Sequence, residues 1–499
     1  MFLPSDSLTI LLCLVFPAAF FLWKFTDKSP RFPVANKTPG EFMICAPTLI
    51  KQGLSKWKVF QFLTKDGIQV FLSHEYTKEI RNHNSLSLGE FMHQRFHANL
   101  HPFRPYLAFV EKDEAFVKFI RKKLVAPLAE LVKPLSETAT SALHAEWTDN
   151  TEWHKLGLKS SLSMVIARLL AKAFVGEPLC NNARWLQITV EYTVDSVQAS
   201  EALRKWPAAL RPIMVHILPV CRKLKAELDE ATSLIDAVLQ QRQLEKNAAL
   251  QAGKAPRRYM DAFEWMAEHY SEMNVPCDPV MVQLALAVTG IHTTTDMLTQ
   301  FLYDIVANDE LVDSLRDEVV RVVKEEGLTL SALNKMRLMD SCLKESQRLK
   351  PVQGVALQRI ALEGFDLSDG THISKNTPII LSAERMWDAE VYVSPNTFDP
   401  YRFIKMRDEN PANETVAQAF SPSAEHIGWG LGKHACPGRF LAIHELKIVL
   451  CHLLLQYDLR HADTRPIQTI IMGTATLADP FVTFEVRRSN RKGAEVLLL

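Results

Sequence analysis

Residues 429–438 read WGLGKHACPG, a run that sets two glycines, Gly430 and Gly432, ahead of a cysteine fixed against Pro437 and Gly438. Glycine has no Cβ, so the backbone at 430 and 432 is free to lie close against a flat ligand. Pro437 suits the first position of the apolar helix that RFLAIHELKIVLCHLLLQY, residues 439–457, predicts. A cysteine just ahead of a helix has its thiolate favoured by free N–H groups and the helix dipole. Held in that way, Cys436 would make a strong axial ligand for iron, its electron donation tuned by those N–H groups. His434, two residues earlier, is placed to face a carboxylate of the same ligand. A buried thiol in an ordinary strand-to-helix turn is the alternative that this spacing leaves open.

The totals narrow the field. Length alone, 499 residues, would suggest about three domains, yet no repeat or low-complexity linker divides the chain. Lys+Arg and Asp+Glu both number 57, and no basic stripe is present, which argues against nucleic acid as a partner. Eight cysteines stand at wide, irregular spacings with no C-x-x-C pair. That pattern fits neither a disulfide scaffold nor a structural zinc site, and it places the body in a reducing compartment.

The N-terminus predicts a membrane anchor. Residues 8–23, LTILLCLVFPAAFFLW, carry no charge and are followed by Lys24, Lys28 and Arg31. A spanning helix needs about 20 mostly apolar residues, so this run with its flanks is just sufficient. A cleaved secretory signal would put positive charge before the apolar run and a small-residue cleavage site after it, and neither is found. Cations after the span place the remainder in the cytoplasm. The expected organisation is therefore an anchor at 1–28, a Pro-rich spacer at 29–40 with Pro30, Pro33 and Pro39, and a catalytic body at 41–499.

Within the body, residues from about 105 to 308 are overwhelmingly helical in pattern. AFVKFIRKKLVAPLAELVKPLSETATSALHAEW is amphipathic, with interruptions expected at Pro127 and Pro134. DPVMVQLALAVTGIHTTTDMLTQFLYDIVAND predicts a long helix capped by Asp278, with Pro279 at its first position. About 30 residues of helix span roughly 45 Å, and a first half apolar on every face implies a path through the core. After residue 350, GVALQRIALEGFDLSDGTHISKNTPIIL is β-rich with an Asp369–Gly370 hairpin turn, and residues 466–486 have strand character. The fold class expected is mainly α with a minor β component.

The opening motif resembles the haem-binding signature of the cytochrome P450 family, F-x-x-G-x-x-x-C-x-G. Trp429 stands in the usual Phe position, and Gly432, Cys436 and Gly438 match. The resemblance implies haem b with Cys436 on the iron and His434 as a propionate partner. KESQR supplies Glu345 and Arg348, an E-x-x-R pair, and SPNTFDPYRF supplies Arg402. Exposed, such a pair contributes only about 0.2–0.5 kcal/mol. The family buries it, and breaking a buried network costs about 3–5 kcal/mol. Arg359 in LQRIAL, and Arg121 in FIRKKL, resemble further propionate contacts. AVTGIHTTTD is similar to the family's oxygen-binding stretch, with Gly290 at a local helix opening and Thr293 in the proton-relaying position. His292 replaces the usual acid, and it reads either as a proton shuttle or as a core contact. Thr294 and Thr295 are expected to bond back to carbonyls one turn earlier.

By this resemblance the chain is expected to be a haem-thiolate monooxygenase in the endoplasmic reticulum membrane, single-pass with its catalytic domain cytoplasmic. It would use O2 and electrons from NADPH through a separate cytochrome P450 reductase, since no dinucleotide fingerprint occurs in the chain. Its substrate would be a hydrophobic small molecule; the HACPGRFLAIHELK and GIHTT variants look most like fungal secondary-metabolism members, often acting on terpenoids. Substrate contacts are expected in 91–109 and 470–477. A haem-thiolate isomerase or dehydratase needing no reductase is the alternative, with His292 for it and Thr293 against it. A haem carrier or sensor would not need so large a fold.

Overall fold

The computed structural model describes residues 32–463 and 466–490. The anchor expected at 1–28 and the first residues of the spacer lie outside them. Among the described residues no helix is long and apolar enough to cross a membrane. The described part of the spacer is docked on the body. Val34 bridges Gln61, and the buried Asn36 amide donates to the carbonyls of Thr38 and Leu63 at 2.7 and 2.8 Å.

The helices that position the site are, in chain order, α1 (Leu88–Arg95), α2 (Leu158–Phe174), α3 (Ala183–Arg204), α4 (Arg211–Ile217), α5 (Pro279–Ile305), α6 (Arg337–Leu349) and α7 (Arg439–Gln456). α5 is the expected central helix. Asp278 caps it, its carboxylate accepting from the Met281 N–H at 3.0 Å, and every residue from Val280 to Ala287 is buried. It packs on α2, α3, α6 and α7, so one element touches most of the helical core.

Three local expectations about helices are corrected. α5 runs unbroken through Gly290, where a Cβ would stand 3.0 Å from Leu170 Cδ1. That glycine lets α5 approach α2 and does not open the helix. Back-bonding belongs to Thr289, Thr293 and Thr299, whose hydroxyls donate to carbonyls four residues earlier at 2.9, 2.8 and 2.7 Å; the Thr295 hydroxyl has no partner among the described residues. The helix Leu128–Trp147 starts directly after Pro127 but continues through Pro134 without a break.

The β component is a five-stranded sheet of β1 (Val59–Thr64), β2 (Gly67–Leu72), β3 (Leu86–Ser87), β4 (Val355–Ala361) and β5 (Pro378–Ser382) in the order β1–β2–β5–β4–β3. β2 and β5 are parallel. Along β4, Ala356 faces Leu381 but Arg359 faces Ile379, so β4 carries one extra residue. Leu357 takes a positive φ of 50° inside this bulge. A bulge re-aims the side chains that follow it, and the one re-aimed here is Arg359. The Asp369–Gly370 turn closes a smaller hairpin, pairing Phe365 with Ile373. The C-terminal strands form as expected, as a hairpin of Thr469–Met472 with Ala475–Ala478 and a strand at Thr483–Arg488.

α6 carries the pair read from KESQR. The Glu345 and Arg348 side chains are fully excluded from solvent and joined by two hydrogen bonds of 2.8 and 2.9 Å. Arg402 Nε reaches both Glu345 oxygens at 3.0 Å, while its guanidinium also donates to the Val393 carbonyl at 2.7 Å. Arg348 Nη1 donates to the Met386 carbonyl at 2.6 Å. One carboxylate thus joins α6 to two later loops. Arg402→Leu is expected to cost about 3–5 kcal/mol in urea unfolding; a loss under about 1 kcal/mol, the range of an exposed pair, would show that Glu345 is satisfied without it.

Candidate active site

The loop 429–438 is closed on itself by backbone bonds. The Cys436 N–H donates to the Trp429 carbonyl at 2.7 Å, Gly430 N–H to Ile427 at 2.8 Å, and Ala435 N–H to Gly432 at 3.0 Å. Trp429 anchors it from behind, its indole N–H donating to the Ala419 carbonyl at 2.8 Å. Gly430 and Gly432 take φ of 70° and 72°, in the left-handed region that favours glycine. The close approach at Gly432 is to protein: a Cβ there would fall 2.5 Å from both the Arg81 carbonyl oxygen and Asn82 Oδ1. Asn82 Oδ1 in turn accepts from the Lys433 N–H at 2.7 Å. The expectation that Gly432 makes room for a flat ligand is therefore corrected, because it makes room for the 81–82 segment.

α7 begins at Arg439 with Gly438 as its cap, so Pro437 precedes the helix and is not its first residue. The consequence expected for Cys436 holds only in part, because its thiol is on balance raised above the ordinary value. Burial pushes its thiol up, and the N–H groups of Gly438 and Arg439, with the Arg439 guanidinium, pull it back toward the thiolate. Burial also raises Cys180, Cys221, Cys277, Cys342 and Cys451, but none of these has such a pair of helix-start donors. All the cysteines in the described residues are free.

Around this thiol the structure gathers cations from three parts of the chain. Arg121 lies on a π-helical turn, Ile120–Leu124, and donates to the Lys433 carbonyl. Arg359 is buried, bonds only the adjacent Gln358 carbonyl at 2.7 Å, and is pulled down to about 10 by burial alone. Arg439 donates to the Cys436 carbonyl at 2.7 Å and leaves its Nε unpartnered. His434 has a buried Nε2 with no partner. Burial, then Arg359, Lys433 and Arg121, push its imidazole down to about 3. No carboxylate is among the groups acting on His434 or Arg359. Arg121, Arg359 and Arg439, none of them ion-paired among the described residues, and the neutral imidazole of His434 form a donor set that a dianionic ligand would complete.

On α5, a helix otherwise mostly buried, Thr289 and Thr293 are exposed and stand one turn apart. His292 turns elsewhere: its Nε2 is 2.7 Å from the Val190 carbonyl of α3, and burial holds its imidazole below the ordinary value. The acid one turn on, Asp296, is also committed, pairing with Lys159 at 2.7 Å and accepting from the Ala478 N–H at 2.9 Å.

A family model described as cytochrome P450 matches residues 59–482. The chain belongs to the cytochrome P450 family. It is 40% identical to the cytochrome P450 monooxygenase adrA of Penicillium rubens over 95% of each chain. It is also 40% identical to the monooxygenase trt6 of Aspergillus terreus over 89% of each. Among solved structures, retinoic acid-bound cyanobacterial CYP120A1 shares the fold at a TM-score of 0.69 and 16% identity, over 93% of this chain and all of that one. This P450 is thus a monooxygenase whose cofactor is haem with a cysteine thiolate on the iron. The residues present fit that group. Cys436 offers a sulfur met by two helix-start N–H groups, and Arg121, Arg359 and Arg439, not ion-paired among the described residues, with His434 Nε2 offer partners for two propionates.

Sequence reasoning missed Arg439, Lys433 and Asn82. The first two lie inside or beside the motif and were legible as charges next to it; Asn82 carries no local signal, because only the fold brings it to residue 432. Gly432→Ala is expected to lose about 1–2 kcal/mol from the left-handed backbone alone, plus the clash with Arg81, and to release haem on dilution. Unchanged thermal stability and haem content, by pyridine haemochrome assay, would contradict that placement.

Proposed function

We propose that this P450 hydroxylates or otherwise oxidises a hydrophobic small molecule, of terpenoid type, in fungal secondary metabolism. Electrons come from NADPH through a separate NADPH–cytochrome P450 reductase. The observation that carries the reading is the Cys436 sulfur, met by two helix-start N–H groups beside Arg121, Arg359 and Arg439, none of them ion-paired among the described residues. The fungal monooxygenases similar over most of the chain support it. Residues 1–28 act as a single-pass anchor in the endoplasmic reticulum membrane, with the catalytic body in the cytoplasm.

Bound haem supplies activation of O2 and delivery of one oxygen atom to a substrate C–H bond, the other atom leaving as water. The chain's residues hold and serve that chemistry. Cys436 would provide the sulfur that holds the iron, and its N–H donors would moderate how much electron density it releases. Arg121, Arg359, His434 and Arg439 would hold the propionates, and the fixed loop from Trp429 through Gly432 keeps the sulfur in register. Glu345, Arg348 and Arg402 brace the same face without touching the chemistry. The hydroxyls of Thr293 and Thr289, exposed one turn apart on α5, would pass protons with water. His292 and Asp296, the other titratable groups nearby on α5, are bound to neighbouring elements.

Cys436→Ala is expected to abolish the thiolate-type carbon monoxide spectrum of the reduced protein, and an unchanged spectrum would overturn the haem assignment. In the reductase-coupled system, Thr293→Ala is expected to lower product formed per NADPH consumed roughly a hundredfold, the low end of general acid–base contributions, with NADPH use largely retained. Unchanged coupling would remove Thr293 from proton delivery. Turnover of a terpenoid panel that proceeds without NADPH and reductase would favour the isomerase instead.

A further inference from the structure

A cavity of about 610 Å³ opens between the β1–β2 turn, α1, the end of α3 and the start of α4. Its polar wall carries Lys65, Arg95, Arg204 and Arg211 against two carboxylates, Asp66 and Glu90. Most of these charges are already committed. Lys65 pairs with Glu201 at 3.5 Å, and Glu90 lies 3.6 Å from His93. Asp66 serves two arginines, Arg95 at 3.5 Å and Arg204. Arg204 also donates to Ser200 Oγ at 2.8 Å and to the Arg95 carbonyl at 3.2 Å, and its Nε is left without a partner.

Arg211 is different. Its one hydrogen bond runs from Nε to the Trp206 carbonyl at 3.1 Å, and it has no ion-pair partner among the described residues. Burial lowers it. Its charge adds to the burial that brings Arg204 down to about 10 and His97 to about 4. The terminal nitrogens of a half-buried guanidinium are thus free at a cavity already rich in positive charge. His97 adds a buried Nε2 with no partner.

The opposite wall is apolar, with Phe91, Leu100, Ile360 and Pro378. Ile360 pairs with Pro378 on the face of β4 that lines the cavity, while Arg359, the residue before, points to the other face and the cationic cradle of the candidate active site. The cavity's own walls, one cationic and one apolar, match a molecule with an acidic end and an apolar body.

We propose that the cavity is a recognition subsite for a carboxylate carried by the hydrophobic substrate, with Arg211 as the anchoring residue. The inference rests on the reading of the substrate as a hydrophobic small molecule and adds the charge that selects it. A planar guanidinium with free donors pairs with a carboxylate through two parallel hydrogen bonds, which an ester cannot reproduce.

The test is equilibrium dialysis of the full-length, haem-loaded protein with two acids, dodecanoate and abietate, each beside its methyl ester. At low salt at least one acid is expected to bind roughly tenfold tighter than its ester, and this preference should shrink at high salt. Arg211→Gln should abolish the preference while the thiolate-type carbon monoxide spectrum is retained; Arg211→Lys should keep part of it. Equal binding of both acids and their esters, or a preference that survives Arg211→Gln, overturns the subsite and leaves the hydrophobic-substrate reading standing. Failure of acids and esters alike to bind overturns both.

Discussion

The buried carboxylate of Glu345 is the constraint on which the haem-side half of the structure depends. A charge with no access to water must have its hydrogen bonds supplied by protein. Here Arg348 and Arg402 supply them from α6 and from the start of the Arg402–Glu409 helix. Those arginines in turn fix the carbonyls of Met386, Val393 and Thr397. Irregular chain that would otherwise have no partner for its backbone is thereby given one position.

A second buried centre extends the bracing toward the cysteine. Asp340, one α6 turn before Lys344, pairs with Lys447 of α7 at 2.8 Å and with Arg407, and accepts from the Ala419 N–H at 3.0 Å. Lys447 and Arg407 hold its carboxyl below the usual range despite burial. Lys344 donates to the carbonyls of Val416, Gln418 and Ser421 at 2.9, 2.9 and 2.6 Å. The Ala419 carbonyl then receives the Trp429 indole. A chain of polar contacts thus runs from the core of α6 to the loop that presents Cys436, and loosening it would shift the sulfur, because packed interiors transmit displacement.

What was legible in the sequence were features whose cause is local. The cap and proline of α5, the turn at Asp369–Gly370 and the E-x-x-R pair each declare themselves within a few residues. The illegible features depend on what the fold brings alongside. Gly290 reads as a helix opening until Leu170 is seen against it, and Gly432 reads as space for a ligand until Arg81 fills that space. Pro437 reads as the first helical residue, yet α7 starts two positions later because Gly438 takes the cap. Arg359 was found by motif, but the bulge that aims it comes from a register difference between β4 and β5 that no single strand encodes.

The same distinction bears on the role proposed for α5. Its sequence offers a histidine where an acid is usual and an aspartate one turn on, so residue type alone suggests two proton carriers beside Thr293. Geometry assigns both elsewhere. The imidazole of His292 holds the Val190 carbonyl, and Asp296 holds Lys159 and the Ala478 N–H. To carry a proton, either group would have to break bonds that fasten α5 to its neighbours. The hydroxyls of Thr289 and Thr293 are under no such demand: they are exposed, and each is bonded only within its own helix. A hydroxyl both donates and accepts, and it rotates without moving backbone. It can therefore pass a proton and return, while the titratable groups beside it keep the helix in place.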